Sequence, residues 1–293
     1  MSDKLLAFNN IRLRVPDEWD LTRATGVARS GRLALDDGHE PTLDATWGPL
    51  KEYTVEQLVT ELVDQPKENR VIKRFGGDRR HRRLLVEGPE GTFGAVVAAQ
   101  DEVERFVYVR VHKASPMKPR LEALGRSLSE KADSEVQPWR FFATSFDLPS
   151  RFDLTDVDLR SGCMRLDFAS KRRALTLWDM SLLDRLERLH ELPEMVAGMI
   201  EKAFVKRCKL FVDRLEPGED PAAFRLPGRR NRRWMLSPAE LLLGNRRVSA
   251  WSMPDRRSNR LAVVFYRYRR EADLSWIDPL IDSLKGGRDE DVR

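Results

Sequence analysis

Two arginine runs are the residues of this chain best suited to chemistry with a partner. Gly77-Asp78-Arg79-Arg80-His81-Arg82-Arg83 leads into Leu84-Leu85-Val86, and Gly228-Arg229-Arg230-Asn231-Arg232-Arg233 leads into Trp234-Met235-Leu236. A guanidinium is a planar fork of donors that matches carboxylate and phosphate oxygens. Arg79, Arg80, Arg82, Arg83, Arg229, Arg230, Arg232 and Arg233 are therefore the candidate contacts to a phosphate or an acidic partner. The second half adds Arg246-Arg247, Arg256-Arg257, Arg267, Arg269 and Arg270 near Trp251, Tyr266 and Tyr268. Basic residues interleaved with aromatics suit a single nucleic-acid strand. The competing reading is a solvated, charged sheet edge that blocks aggregation, with Asp78, Glu87, Glu90, Asp101, Glu102 and Glu104 neutralising much of the first run.

Catalytic residue patterns do not assemble. Nucleophilic catalysis needs a serine or cysteine beside a base and an orienting acid. The four histidines, His39, His81, His112 and His190, fall in a turn, an arginine run, a strand end and a helix. None has a counterpart elsewhere in the chain, and each reads as an ordinary surface residue. Metal-ligand spacings such as HExxH or the acidic calcium loop are missing from the sequence, and Gly76-Gly77 is too short to cradle phosphates. Cys163 and Cys208 lie outside any CxxC pair and read as structural thiols of a reducing compartment. The expectation is a protein without catalysis, metal or cofactor.

Composition narrows the class further. With 293 residues and 41% hydrophobic residues the chain can bury two cores. Charged residues make up 34%, and the 52 basic and 47 acidic side chains give a net charge of only +5, a mixed surface and no polycation. No apolar run approaches the roughly 18 residues of a spanning helix, and the N-terminal residues lack a secretory pattern. The expected setting is the cytoplasm, with no membrane contact.

The elements that must position these residues are written twice. Leu13-Arg14-Val15-Pro16, Trp19-Asp20-Leu21-Thr22, Gly31-Arg32-Leu33-Ala34-Leu35-Asp36 and Thr46-Trp47 recur as Phe146-Asp147-Leu148-Pro149, Phe152-Asp153-Leu154-Thr155, Gly162-Cys163-Met164-Arg165-Leu166-Asp167 and Leu177-Trp178. Alternating Ile11, Leu13 and Val15 mark a half-buried strand that Pro16 ends. Asp20 and Asp153 each precede a threonine by two residues, which predicts a turn closed by their side chains. Thr54 and Gln57 form a capping box ahead of Val55, Leu58, Val59, Leu62 and Val63, one apolar helical stripe. Strands follow at about 71–76, 82–88, 93–100 and 104–112, then a closing helix at 120–130. The second half repeats the plan, with an extra helix at about 181–191 and a closing helix at 277–284. Each half reads β-β-β-α-β-β-β-α, which predicts an α+β fold, an antiparallel sheet flanked by helices, in two tandem copies forming a pseudodimer. The copies span 1–132 and 140–285, with a linker at 133–139 and a disordered tail at 286–293.

A proline ending the first strand, an aromatic three residues on, a glycine opening the next strand and an L-x-x-L-x-x-S-L-like closing helix resemble the PsbP-like fold. Pro16, Trp19, Gly31 and Leu121 to Leu128 carry the pattern, and Pro149, Phe152, Gly162 and Ile277 to Leu284 carry it again. That fold is also used by the nuclear Ran-release factor and by Eag-type secretion chaperones. The resemblance implies a non-enzymatic domain that binds protein partners through a sheet face or edge, hence a cytoplasmic adaptor or chaperone-like module. The alternative is a nucleic-acid-binding protein that uses the two arginine runs as a matched pair.

Overall fold

The computed structural model describes residues 3–64, 68–101, 104–112, 116–129, 135–141, 144–160, 162–171, 173–189, 191–204, 210–212, 216–218, 223–230, 247–268 and 270–286. The chain divides into two compact units, Met1–Ser145 and Phe146–Arg293.

Unit 1 begins with β1 (Asp3–Phe8) and β2 (Ile11–Pro16), an antiparallel hairpin whose turn places Asn9 and Asn10 at positive φ. Then come β3 (Asp20–Gly26), β4 (Gly31–Asp36) and β5 (Pro41–Pro49). The capping box forms at Thr54, and α1 (Val55–Val59) continues into a π-helical turn over Thr60–Asp64. Next are β6 (Arg70–Gly77), β7 (His81–Gly88), β8 (Gly91–Gln100), β9 (Arg105–Val111), α2 (Met117–Ser129) and β10 (Val136–Phe141). The large sheet runs β3-β4-β5-β9-β8-β7-β6. Leu58, Val59 and Val63 cover the face of Leu84, Val86 and Ala95, and Leu121 of α2 lies against Gly94 on the other face.

Unit 2 is built from β11 (Thr144–Pro149), β12 (Asp153–Arg160), β13 (Cys163–Ser170), β14 (Arg173–Ser181), α3 (Leu183–Leu189), α4 (Leu192–Phe204), β15 (Leu210–Val212), β16 (Glu216–Pro217), β17 (Phe224–Arg230), β18 (Arg247–Asp255), β19 (Arg260–Tyr268) and α5 (Ile277–Gly286). Its sheet runs β12-β13-β14-β19-β18-β17-β15, with β16 also on β17. This is the strand order of unit 1. The tail beyond Gly286 lies outside the described residues.

The α+β expectation is corrected. Among the described residues strands take 58% and helices 21%, and three antiparallel sheets hold four, seven and eight strands, so the fold is closer to all-β. Helical stripes in the sequence are real but short: α1 has five residues. Strands run longer than their turn punctuation suggests, nine or ten residues in β5, β8, β14, β18 and β19. β1 escapes the sequence pattern, and β10 overlaps the stretch read as linker.

What recurs between the units is architectural. Trp19 N–H donates to Pro16 O and Phe152 N–H to Pro149 O, each at 3.0 Å, closing the same turn twice. Thr22 and Thr155 are the extra residues of matching β-bulges, and their hydroxyls donate across the pair to Ala34 O (3.3 Å) and Asp167 O (3.0 Å). The threonines make this joint; Asp20 instead meets Lys4 at 3.3 Å. Ser127 and Ser283 donate to Leu124 O and Leu280 O within their helices. Each accepts the N–H of a residue in β2 or β11, Arg14 at 3.3 Å and Asp147 at 3.2 Å. Ser127→Ala removes two hydrogen bonds and should cost unit 1 about 1–3 kcal/mol, since the strand N–H loses this acceptor, and Ser283→Ala the same in unit 2. Chemical denaturation of each variant checks this, and a zero effect at both would remove the serine as a helix anchor.

Candidate functional site

Asp78 organises the first arginine run. Its carboxylate accepts the N–H groups of Arg80 (2.7 Å) and His81 (3.1 Å) and faces His81 Nδ1 at 3.0 Å. Desolvation pushes the Asp78 carboxyl up, but the Arg80 N–H and the nearby His81 outweigh it and hold the group below the usual carboxylate range. His81 is buried beneath α2: a Cβ on Gly125 would meet its ring at 3.1 Å. The surface reading of His81 is thereby corrected. His112 Nε2 lies 2.6 Å from Asp44, His39 sits in an exposed turn, and His190 lies outside the described residues.

The arginines of this run are largely engaged with acids. Arg82 binds Glu56 of α1, which also takes Arg74 at 3.2 Å. The Arg82 hydrogen bond is the main reason the Glu56 carboxyl lies low. Arg83 approaches Glu122 of α2 at 3.9 Å, and Arg80 approaches Asp101 at 3.9 Å. Among the described residues Arg79 makes no ion pair. These surface pairs contribute little stability each, but they lower the charge available to a phosphate.

The two runs do not occupy matching places. The β8–β9 and β18–β19 hairpins pair Gln100 with Arg105 and Asp255 with Arg260, each across a four-residue turn. Counting back through the ladders, Arg82 opposes Val97 where Phe224 opposes Ser252, and Arg83 opposes Val96 where Arg225 opposes Trp251. Arg83 therefore corresponds to Arg225. Arg229 and Arg230 correspond to Glu87 and Gly88, at the far end of the strand. The first run opens β7 and the second closes β17. Only the backbone of Arg229 and Arg230 is described, and Arg232 and Arg233 lie outside the described residues.

A matched pair of arginines, one buried and one half-buried, escaped the sequence reading. Arg105 and Arg260 occupy the same place, opening the central strand of each sheet. Arg260 donates from Nε and Nη2 to both oxygens of Asp179, each at 2.9 Å, and the Asp179 side chain is 0% exposed. Arg105 is 4% exposed and donates to Gln100 Oε1 and Asn9 O, each at 2.7 Å, with Nη2 buried and without a partner among the described residues. Burial pushes its guanidinium down to about 10. The position of Asp179 is held in unit 1 by Trp47, whose indole N–H donates to Val27 O at 3.1 Å. Repetition was the available signal, since each arginine follows a hairpin turn and opens a long apolar strand.

The outer edge of unit 1 is the remaining surface of note. β6 carries Arg70, Lys73 and Arg74 and no acid, with Ile72 at 52% exposure. Its pairing with β7 skips a residue at Ile72, and slips again between Arg74 and Gly77. Among the described residues Arg70 and Lys73 make no ion pair; Lys73 lies over the Phe75 ring at 5.4 Å. In unit 2, among the described residues, the corresponding flank of β17 pairs with β15 and β16, three and two residues long.

Among the described residues no group of three His, Cys, Asp or Glu side chains is placed to hold a metal ion, and no helix is long and apolar enough to cross a membrane. Comparison with known proteins brings no assignment to set beside these features: no family model matches the chain, and no curated protein matches it.

Proposed function

We propose that this chain is a non-enzymatic protein-binding module of the cytoplasm, an adaptor or chaperone-like protein, that takes its partner along the outer edge of the unit 1 sheet. One observation carries the reading. β6 is an eight-residue strand that ends its sheet, paired on one side by β7 among the described residues, and its Ile72 side chain is 52% exposed. An added strand would pair along its other side and bury Ile72. The recurring residues support the same view, because the proline turns, threonine bulges and helix serines are consumed in building the fold.

The nucleic-acid alternative has less behind it. It needs two equivalent arginine runs with free charge, whereas the runs fall at opposite ends of corresponding strands and Arg80, Arg82 and Arg83 face acids.

Recovery of the tagged full-length protein from its host extract tests the reading. A stoichiometric protein that survives a high-salt wash and is lost with Ile72→Asp is the expected result. Recovery of nucleic acid that elutes with salt, in place of a protein, would overturn it, because phosphate contacts weaken steeply as salt rises.

A further inference from the structure

We propose that the β6 edge receives an extended, acidic protein segment, added as one more antiparallel strand and anchored by Ile72 between Arg70 and Lys73. The inference rests on the adaptor reading and names the chemistry of its partner.

Charge decides the occupant. Arg70 opposes Glu87 and Lys73 opposes Leu85 in the ladder, and residues 85 and 87 lie on one face. The skipped residue Ile72 therefore lets Arg70 and Lys73 project to the same side. Arg74 opposes Leu84, projects to the other side and meets Glu56. A second β6 laid against this edge would bring like charges face to face, which is unfavourable for cross-strand neighbours. The edge thus repels its own kind, as guarded edges do. A strand bearing glutamate or aspartate opposite Arg70 and Lys73 would gain attraction from the same groups that exclude self-pairing. Glu87 lies beside Arg70 and tempers it, which leaves Lys73 as the stronger selector.

The backbone at this edge also favours a strand over a nucleic acid. Hydrogen bonds from an edge strand match peptide groups, and the exposed isoleucine offers an apolar contact that phosphates cannot use. Arg79, which makes no ion pair among the described residues, lies at the β6–β7 turn and extends the positive charge beyond the end of the strand.

The test uses the full chain and a fluorescein-labelled heptapeptide that alternates glutamate with valine or isoleucine, followed by anisotropy. A peptide with lysine in place of glutamate is its control. The expected result is saturable binding of the acidic peptide only, with slowed amide exchange confined to residues 70–77. Arg70→Glu combined with Lys73→Glu should weaken that binding by about tenfold or more and transfer preference to the lysine peptide. Both substituted side chains are exposed, so unchanged thermal melting is expected to accompany the switch. Absence of binding, equal binding of both peptides, or exchange protection elsewhere would overturn the proposal. So would sedimentation showing that a second copy of the chain already occupies the edge. Extract recovery with the double variant separates the two levels. If it keeps the same stoichiometric partner, the edge assignment falls and the adaptor reading stands. If neither form captures a protein, the adaptor reading itself falls.

Discussion

Arg260→Met should destabilise unit 2 by about 3–5 kcal/mol, because it leaves the Asp179 carboxylate buried without its guanidinium. Asp179 is 1% exposed and both its oxygens face Arg260 at 2.9 Å. The corresponding change in unit 1 should behave differently. Arg105→Met removes a buried cation that faces two neutral acceptors, so the loss of those hydrogen bonds is offset by release of desolvated charge. A net effect within about 1–2 kcal/mol is expected from the two opposing contributions. Urea denaturation of both variants measures the contrast. Asp179→Leu added to Arg260→Met should recover most of the loss, since an apolar pair replaces the ionic one. Equal costs at Arg105 and Arg260 would show that packing, and not the counter-charge, governs both sites.

Trp139→Ala should cost unit 1 about 3–5 kcal/mol, the range for emptying a large aromatic site in a core. Trp139 is 0% exposed in β10, which pairs with β1 through Ala7 and Arg140. Its ring meets Phe8 at 5.2 Å, and Phe8 in turn meets Phe141 at 5.6 Å and Trp47 at 6.2 Å. A chain cut at residue 132 lacks both Trp139 and Phe141, two rings that meet Phe8. A chain ending at residue 145 keeps the whole cluster. Near-ultraviolet circular dichroism and melting should therefore show a cooperative fold for 1–145 and a weakened one for 1–132. Equal stability of the two fragments would place β10 outside the unit 1 core.

The repeat was legible because each copy spends its proline, aromatic, threonine and helix serine on backbone joints, which fix residue type and spacing together. Register was less legible. Trp47 and Trp178 look equivalent in sequence, yet Trp47 opposes Val107 while Trp178 opposes Val263, the partner position of Thr46. The β4–β5 hairpin closes through an irregular pairing of Asp36 with Pro41, and β13–β14 through a tighter turn from Ser170 to Arg173. A one-residue difference moves a side chain to the opposite face, so Trp178 joins the Leu183 and Val196 core while Trp47 packs beside Phe8. The arginine runs misled for a related reason: local similarity says nothing of which end of a strand it occupies. Arg105 and Arg260 read as ordinary polar residues in alternation, because burial of a strand's first residue depends on elements distant in sequence.

The place of β9 and β19 in their sheets sets the order in which this protein can be completed during synthesis. β5 and β8 never pair with each other; each finds its inner neighbour only in β9, and Leu43 waits for Val111 while Pro49 waits for Arg105. In unit 2, Ala174 waits for Arg267 across an even longer stretch of chain. A nascent polypeptide therefore holds two meanders with unsatisfied inner edges until the last strand leaves the ribosome. Pairings so distant in sequence form slowly, and open edges held meanwhile are prone to join the wrong chain. The central strand is thus both the keystone of each sheet and the last part delivered, which makes each unit's time of vulnerability a property of its topology.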